Sequence, residues 1–145
     1  MSTADKGNYL IILEIKENRN IKIGSLGIIA FEKGWYVYTG SGQRNLGKRM
    51  ERHLRKYNKK MHWHLDYLCS WAEDMLGLPI ISNKNLECDL AWDLEKLGSR
   101  GIIGFGSSDC RCKSHLFYFP YPPLQNKDFW VFRHYGGKIA FKNPH

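Results

Sequence analysis

Runs of apolar residues separated by polar turns divide the chain into short strands and helices. Six of the nine residues 8–16 are apolar, five of them in an unbroken run, which is typical of a buried strand, and residues 20–23 predict a second, shorter strand. Residues 28–32 and 35–39 are rich in β-branched and aromatic side chains, and Lys33-Gly34 between them supplies the glycine of a two-residue turn. We expect these last two segments to pair as a hairpin.

Three later segments have the period or the length of helices. In residues 45–57 the apolar side chains recur every three or four positions and form one stripe: Leu46, Met50, Leu54 and Tyr57. Residues 63–71 predict a short second helix, and residues 85–97 predict a third helix that Gly98 closes.

The remaining apolar segments predict strands, and the order of elements indicates the fold class. Residues 76–81 favour an edge strand because Pro79 cannot donate a ladder hydrogen bond, and residues 114–119 favour a last strand. We expect an α/β fold with a small mixed or antiparallel sheet of three to four strands and flanking helices. The 145 residues, 43% of them hydrophobic, suit a single domain, with its core at 7–119 and a C-terminal extension at 120–145.

The lengths of the apolar runs exclude a helical membrane span. Residues 9–13 and 76–81 are the longest runs, and both fall far below the roughly 18 residues that a span needs. The first run is also too short for the core of a secretory signal, so we expect a cytoplasmic protein. In that compartment the four cysteines are expected as thiols or metal ligands rather than disulfides.

The net charge of +8 at pH 7 is concentrated in one segment. Residues 44–60 contain eight basic residues and one acidic residue, a net charge of +7, whereas residues 66–109 carry −5. Such polarity indicates a polyanionic partner, and we expect nucleic acid. The candidate phosphate contacts are Lys48, Arg52, Arg55 and Lys59, which point away from the apolar stripe of the first helix, together with Arg44 and Lys56 of the same segment.

Two residues of the first helix lie at the border of its apolar stripe. On a helical wheel Arg49 and His53 fall at about 300° and 340° from Leu46, and residues four apart are neighbours in space. Arg49 either lays its aliphatic stem over the core or holds a phosphate in a cleft, because its planar guanidinium matches phosphate oxygens.

The third helix has an acidic residue within its apolar arc. Glu87 falls about 100° from the start of an arc that spans about 140°. An inward carboxylate needs a cation or an arginine beside it, although Glu87 also lies in the first turn, where acids suit the helix dipole. With Tyr9, Tyr38, Arg49 and His53, this residue provides a base, a phosphate ligand and a metal ligand, a combination that suits metal-assisted phosphodiester hydrolysis.

These residues resemble the signature of the GIY-YIG nuclease superfamily. Gly7-Asn8-Tyr9 resembles its first motif, Tyr38-Thr39-Gly40 resembles the second, and residues 45–49 are similar to the excision-repair nuclease subunit of the superfamily. Residues 62–68 and 104–116 resemble the Uri-type endonuclease subgroup. The chain departs from the excision-repair members at Ser41, where they have a lysine, and in lacking a counterpart of their later asparagine.

The resemblance implies a metal-dependent endonuclease that hydrolyses phosphodiester bonds of nucleic acid, with DNA expected before RNA as its substrate, in DNA repair or processing. Glu87 would ligate one Mg²⁺ or Mn²⁺, and Tyr38 would be the general base. Tyr9 would orient Tyr38 or the attacking water. Arg49 would hold the scissile phosphate, and His53 would donate to it or to the leaving oxygen. We add His64 as a further catalytic candidate because it can share a face with His62.

A second set of residues leaves an alternative open. Cys110, Cys112 and His115 form a C-x-C-x-x-H pattern that suits zinc, with His62, His64, Cys69 or Cys88 as a fourth ligand. The alternative function is therefore a non-catalytic nucleic-acid-binding module held together by zinc. The sequence leaves open whether the substrate is DNA or RNA, what structure the substrate has, and the oligomeric state.

Overall fold

The computed structural model describes residues 6–42, 44–55, 60–61, 63–97, 100–107 and 112–129. Its strands are β1 (Gly7–Ile15), β2 (Arg19–Lys22), β3 (Ile28–Phe31), β4 (Gly34–Gly42), β5 (Asp74–Ile81), β6 (Arg100–Gly101) and β7 (Leu116–Phe119). Its helices are α1 (Leu46–Leu54), α2 (His64–Cys69) and α3 (Glu87–Lys96), and short 3₁₀ turns cover Gly24–Leu26 and Pro123–Gln125.

A five-stranded antiparallel sheet in the order β5-β1-β4-β7-β6 is the centre of the fold. The predicted α/β class is confirmed, and β5 is an edge strand as its proline indicates. The sheet is wider than the expected three to four strands. One of the strands that the sequence did not predict is β6, which has only two residues and is too short to give an alternating pattern of apolar and polar residues.

The hairpin predicted for residues 28–32 and 35–39 is wrong. β3 instead pairs with β2 in a separate two-stranded sheet, and β4 pairs with β1, so that Gly34 lies opposite Ile15. Both β1 and β4 have nine residues and are almost entirely buried. Nine residue pairs form between β1 and β4, whereas β3 has only four residues to offer, and the longer pairing of apolar strands favours the long-range partner over the turn signal.

Side chains of β1 alternate between two cores on opposite faces of the sheet. Ile11 and Leu13 contribute to the core under α1 and α2, whereas Leu10 and Ile12 contribute to the core under α3. Phe129 is buried in the second core and packs edge-to-face on Phe119, with ring centroids 6.0 Å apart. The first residues of the predicted C-terminal extension therefore belong to the packed domain.

None of the helices in the described part of the chain is both long and apolar enough to cross a membrane.

Candidate active site

A buried tyrosine–histidine pair joins β1 to α1. The Tyr9 hydroxyl lies 2.9 Å from Nε2 of His53, and both side chains are almost fully buried. Nδ1 of the same imidazole lies 4.0 Å from Oδ1 of Asp66. A carboxylate on that side favours a proton on Nδ1, which leaves Nε2 to accept the hydroxyl proton of Tyr9.

Gly40 allows the Tyr9 ring to cross the neighbouring strand. Tyr9 lies opposite Gly40 in the β1–β4 register. A Cβ at position 40 would lie 2.7 Å from Cε2 of Tyr9 and closer still to Cζ and the hydroxyl oxygen. The spacing of the Tyr38-Thr39-Gly40 motif therefore has a steric reason, because the glycine makes room for the tyrosine of the other motif.

Asp66 at the start of α2 is a site residue that the sequence did not single out. Its fully buried carboxylate accepts two hydrogen bonds from the Arg52 guanidinium, at 2.9 and 3.0 Å, and one from the Trp63 N–H, at 2.8 Å. Arg52 also donates to the Lys60 carbonyl at 2.7 Å. The only signal in the sequence is an acid in the first turn of a short helix, which is too common to identify such a pair.

The position of Arg52 corrects the view of α1 as a helix with a uniformly solvated basic face. Only 26% of its side chain is exposed, and its guanidinium is engaged by Asp66 in a bidentate ion pair. A helical wheel places Arg52 away from the apolar stripe but cannot show that α2 packs there. Lys48 and Arg55 are exposed as expected, whereas Lys56 and Lys59 lie outside the described residues.

The second motif tyrosine lies on the same face of the sheet. Tyr38 is 4% exposed, and its ring centroid is 6.2 Å from that of His53. Gly106 lies against it, with a φ of 71° that favours glycine, and a Cβ there would lie 2.8 Å from Cε1 of Tyr38. Nδ1 of His64 accepts the Gly106 N–H at 2.9 Å. His64 thus holds the turn against which Tyr38 packs, which is a supporting position beside the site.

Burial keeps both tyrosine hydroxyls protonated. Desolvation raises the pKa of Tyr38 well above its ordinary value, the charge of Glu87 raises it further, and Arg49 opposes both effects. The pKa of Tyr9 is raised for the same main reason, with Tyr38 as a further cause, and Arg49 again lowers it. Neither tyrosine can act as a base near neutral pH unless more positive charge is brought to the site.

Arg49 lies at the entrance of the site, beside a basic groove. Its Nη1 donates to the Ser41 carbonyl at 3.0 Å, and its guanidinium lies 5.3 Å from the centroid of the Trp63 ring. The groove has a volume of about 520 Å³, and its charged lining residues are all cations: Arg44, Lys48, Arg49 and Arg52. Three of the predicted phosphate contacts therefore line one concave surface with Arg49.

Glu87 reaches the site from the first position of α3. Its side chain is 26% exposed, and its charge raises the pKa of both Tyr9 and Tyr38. A carboxylate oxygen is the donor that Mg²⁺ and Mn²⁺ prefer, and the partial exposure gives access to the water that completes an octahedral shell. The residue therefore fits the single metal ligand that the sequence predicts.

His115 connects Glu87 to two cysteines. Its Nδ1 lies 3.6 Å from Oε2 of Glu87, and its Nε2 lies 3.8 Å from Sγ of Cys88. Burial lowers the pKa of His115, with a backbone hydrogen bond at Gly106 opposing the shift, so the imidazole is neutral near pH 7. Cys112 lies in the same group, whereas Cys110 lies outside the described residues.

These features define a class of protein: an antiparallel α/β domain in which two buried tyrosines, a histidine and a carboxylate lie near an arginine that lines a basic groove. The family model described as domain of unknown function DUF123 matches residues 8–132. The chain therefore belongs to the DUF123 family. Comparisons with curated proteins and with solved structures find no significant match.

Proposed function

We propose that this protein is a metal-dependent endonuclease of the GIY-YIG superfamily, similar to its Uri-type subgroup. It hydrolyses phosphodiester bonds, in DNA rather than RNA, and serves DNA repair or processing. The convergence of Tyr9, Tyr38 and His53 with Arg49 and Glu87, which come from β1, β4, α1 and α3, carries the proposal. A role in packing alone does not account for a partly exposed carboxylate and a guanidinium beside two buried hydroxyls.

The basic groove positions the substrate. Arg49 holds the scissile phosphate, because its guanidinium lies where the groove meets the tyrosines. Arg44 and Lys48 contact neighbouring phosphates, and they supply the positive charge that a lysine provides in the excision-repair members at the position of Ser41. Trp63 forms one wall of the groove, where an indole ring can pack on a sugar or a base.

The hydroxyls carry out the proton chemistry. Tyr38 accepts a proton from the attacking water only as the phenolate, after its own proton has passed to solvent, and Arg49 favours that ionisation because its charge lowers the pKa of Tyr38. A Mg²⁺ or Mn²⁺ ion held by Glu87 would polarise the phosphate and offset the carboxylate charge that raises that pKa. Tyr9 orients the site through its bond to His53, so the histidine acts through Tyr9 rather than by direct donation to the phosphate.

A plasmid-nicking assay in Mg²⁺ or Mn²⁺ tests the proposal. We expect Arg49→Ala and Glu87→Gln to lose about 10²–10³-fold in cleavage rate, the usual cost of removing one group that stabilises the transition state. Glu95→Gln, at an exposed position of the same helix as Glu87, is the matched control and should cut like the wild type. Duplex binding, measured by fluorescence anisotropy, should survive Glu87→Gln.

The proposal fails if the wild type cuts none of the duplex, flap and single-stranded DNA substrates, if it cuts only the RNA substrate, or if Glu87→Gln cuts at the wild-type rate. Binding without cleavage would favour the alternative of a non-catalytic nucleic-acid-binding module. The grouping of Cys88, Cys112 and His115 supports this alternative, because a zinc ion bound there would stabilise the domain whether or not the protein cuts nucleic acid.

A further inference from the structure

The N-terminus of α3 and the segment that leads into β7 bring two thiols and an imidazole together. The metal-ligating atoms of Cys88, Cys112 and His115 all lie within 4.8 Å of one another. Cys88 is the second residue of α3, and the other two residues come more than twenty positions later in the chain. We propose that these three residues bind a zinc-class, thiophilic divalent cation at a site separate from the hard-metal site of Glu87.

The measured separation fits coordination. A tetrahedral ion with Zn–S of about 2.3 Å and Zn–N of about 2.0–2.1 Å requires an S···N separation of about 3.6 Å. Sγ of Cys88 and Nε2 of His115 are 3.8 Å apart, so both atoms can contact one ion after a shift of a few tenths of an ångström. Thiolate and imidazole ligands select zinc-class ions over Mg²⁺, so the two sites differ in the metal that they prefer.

The backbone on both sides of the imidazole fixes its position before any ion binds. The His115 N–H donates to the Phe105 carbonyl at 2.8 Å, and its own carbonyl accepts the Thr39 N–H at 2.9 Å. The ring is therefore attached to the central sheet beside the Tyr38-Thr39-Gly40 motif. Such preorganisation reduces the entropy that a metal ligand loses on binding.

Glu87 completes the arrangement as an outer partner of the histidine. Its Oε2 lies 3.6 Å from Nδ1 of His115, whereas the cysteine lies at the other ring nitrogen, Nε2. Histidines that bind metals commonly direct their second nitrogen at a carboxylate, which orients the ring and increases its basicity. Glu87 is thus a ligand of the hard-metal site only, but it contacts the thiolate site through His115, and occupation of the thiolate site would hold this carboxylate in a defined orientation near the tyrosines.

The site is open to an incoming ion. Cys88 is exposed and Cys112 is half-buried, and both line a cavity of about 540 Å³ together with Trp92 and Phe117. Zinc takes four ligands, so a water molecule fills the remaining position. A bound ion would connect α3 directly to the segment that leads into β7.

Metal content and cobalt spectroscopy on the whole chain test the proposal without an activity measurement. In the presence of a phosphine reductant, we expect one zinc ion per chain and, with Co²⁺ instead, the thiolate-to-cobalt charge-transfer absorption of a tetrahedral site. Cys88→Ser, Cys112→Ser and His115→Ala should each weaken the affinity for zinc by more than about 100-fold. Glu87→Gln should weaken it by about 10–100-fold, as an outer partner does.

Cys69→Ala is the matched control, because Cys69 is a buried thiol of α2 in the other core and should leave metal binding unchanged. Circular dichroism of each variant checks that it remains folded, and Cys88→Ser is the safest change because its side chain is exposed. The proposal is overturned if the wild type shows no thiolate-to-cobalt band, or if Cys88→Ser and His115→Ala bind zinc as tightly as Cys69→Ala. A zinc-binding protein that does not cut DNA would refute the proposed nuclease function alone.

Discussion

Replacement of Arg52 by alanine tests how α1 is used, since the helical wheel and the tertiary structure make opposite predictions for it. If Arg52 were a solvated phosphate contact, its loss would change the free energy of unfolding by no more than about 0.5 kcal/mol. In the structure its guanidinium instead makes two hydrogen bonds, at 2.9 and 3.0 Å, to the carboxylate of Asp66.

The magnitude follows from what the substitution leaves behind. Removal of one partner of a buried ion pair costs about 3–5 kcal/mol, because the other charge remains buried without compensation. Asp66 is fully buried, but it keeps the Trp63 N–H at 2.8 Å, and 26% of the Arg52 side chain is exposed and screened by solvent. Both facts favour the lower end of the range, so we expect Arg52→Ala to cost about 3 kcal/mol.

Urea denaturation of the wild type, Arg52→Ala and Lys48→Ala measures this difference. Lys48 is the matched control because it is an exposed cation on the same helix. We expect its replacement to change the free energy of unfolding by less than about 0.5 kcal/mol. The reasoning is refuted if Arg52→Ala and Lys48→Ala are equally stable. DNA binding by Arg52→Ala should be compared with that of the wild type only under conditions in which the variant is folded.

Two further changes test the tyrosines. Gly40→Ala should cost about 1–3 kcal/mol of stability and abolish cleavage, because its Cβ would lie 2.7 Å from Cε2 of Tyr9. If this variant cuts at the wild-type rate, Gly40 does not have the steric role that we assign to it. Since the folded-state pKa of Tyr38 is raised, its contribution to stability is fully present below about pH 10 and is lost as pH rises toward the folded value. Between neutral and strongly alkaline pH, the free energy of unfolding of Tyr38→Phe should therefore fall less than that of the wild type, as measured by urea unfolding. Tyr121→Phe, at an exposed position, is the control. If Tyr38→Phe and the wild type show the same pH dependence of stability, the pKa of Tyr38 is not raised.

Motif residues of the site were identified from the sequence because their chemistry is unusual for their positions. Arg49 and His53 border an apolar stripe, and Glu87 lies within an apolar arc. A charged or polar side chain at such a position is unusual for a residue that only packs in the core. Helical spacing predicts that Arg49 and His53 are neighbours, whereas only the resemblance to a nuclease family predicts that Glu87 lies near them. The structure adds the contact between Tyr9 and His53 at 2.9 Å and the charge of Glu87 acting on both tyrosines.

The sequence by itself determined most of the helices and strands, because the period of the apolar residues can be read within each segment. The strands of residues 7–15 and 74–81 and the helices of residues 46–54 and 87–96 overlap the elements that apolar spacing predicts, with bounds that differ by up to three residues. Only the tertiary structure decided which elements meet. It paired β4 with β1 instead of β3, Arg52 with Asp66 fourteen positions later, and Cys88 with His115 twenty-seven positions later. Such partners are chosen by how much apolar surface and charge the whole fold can bury and compensate, and no pattern along one segment contains that information.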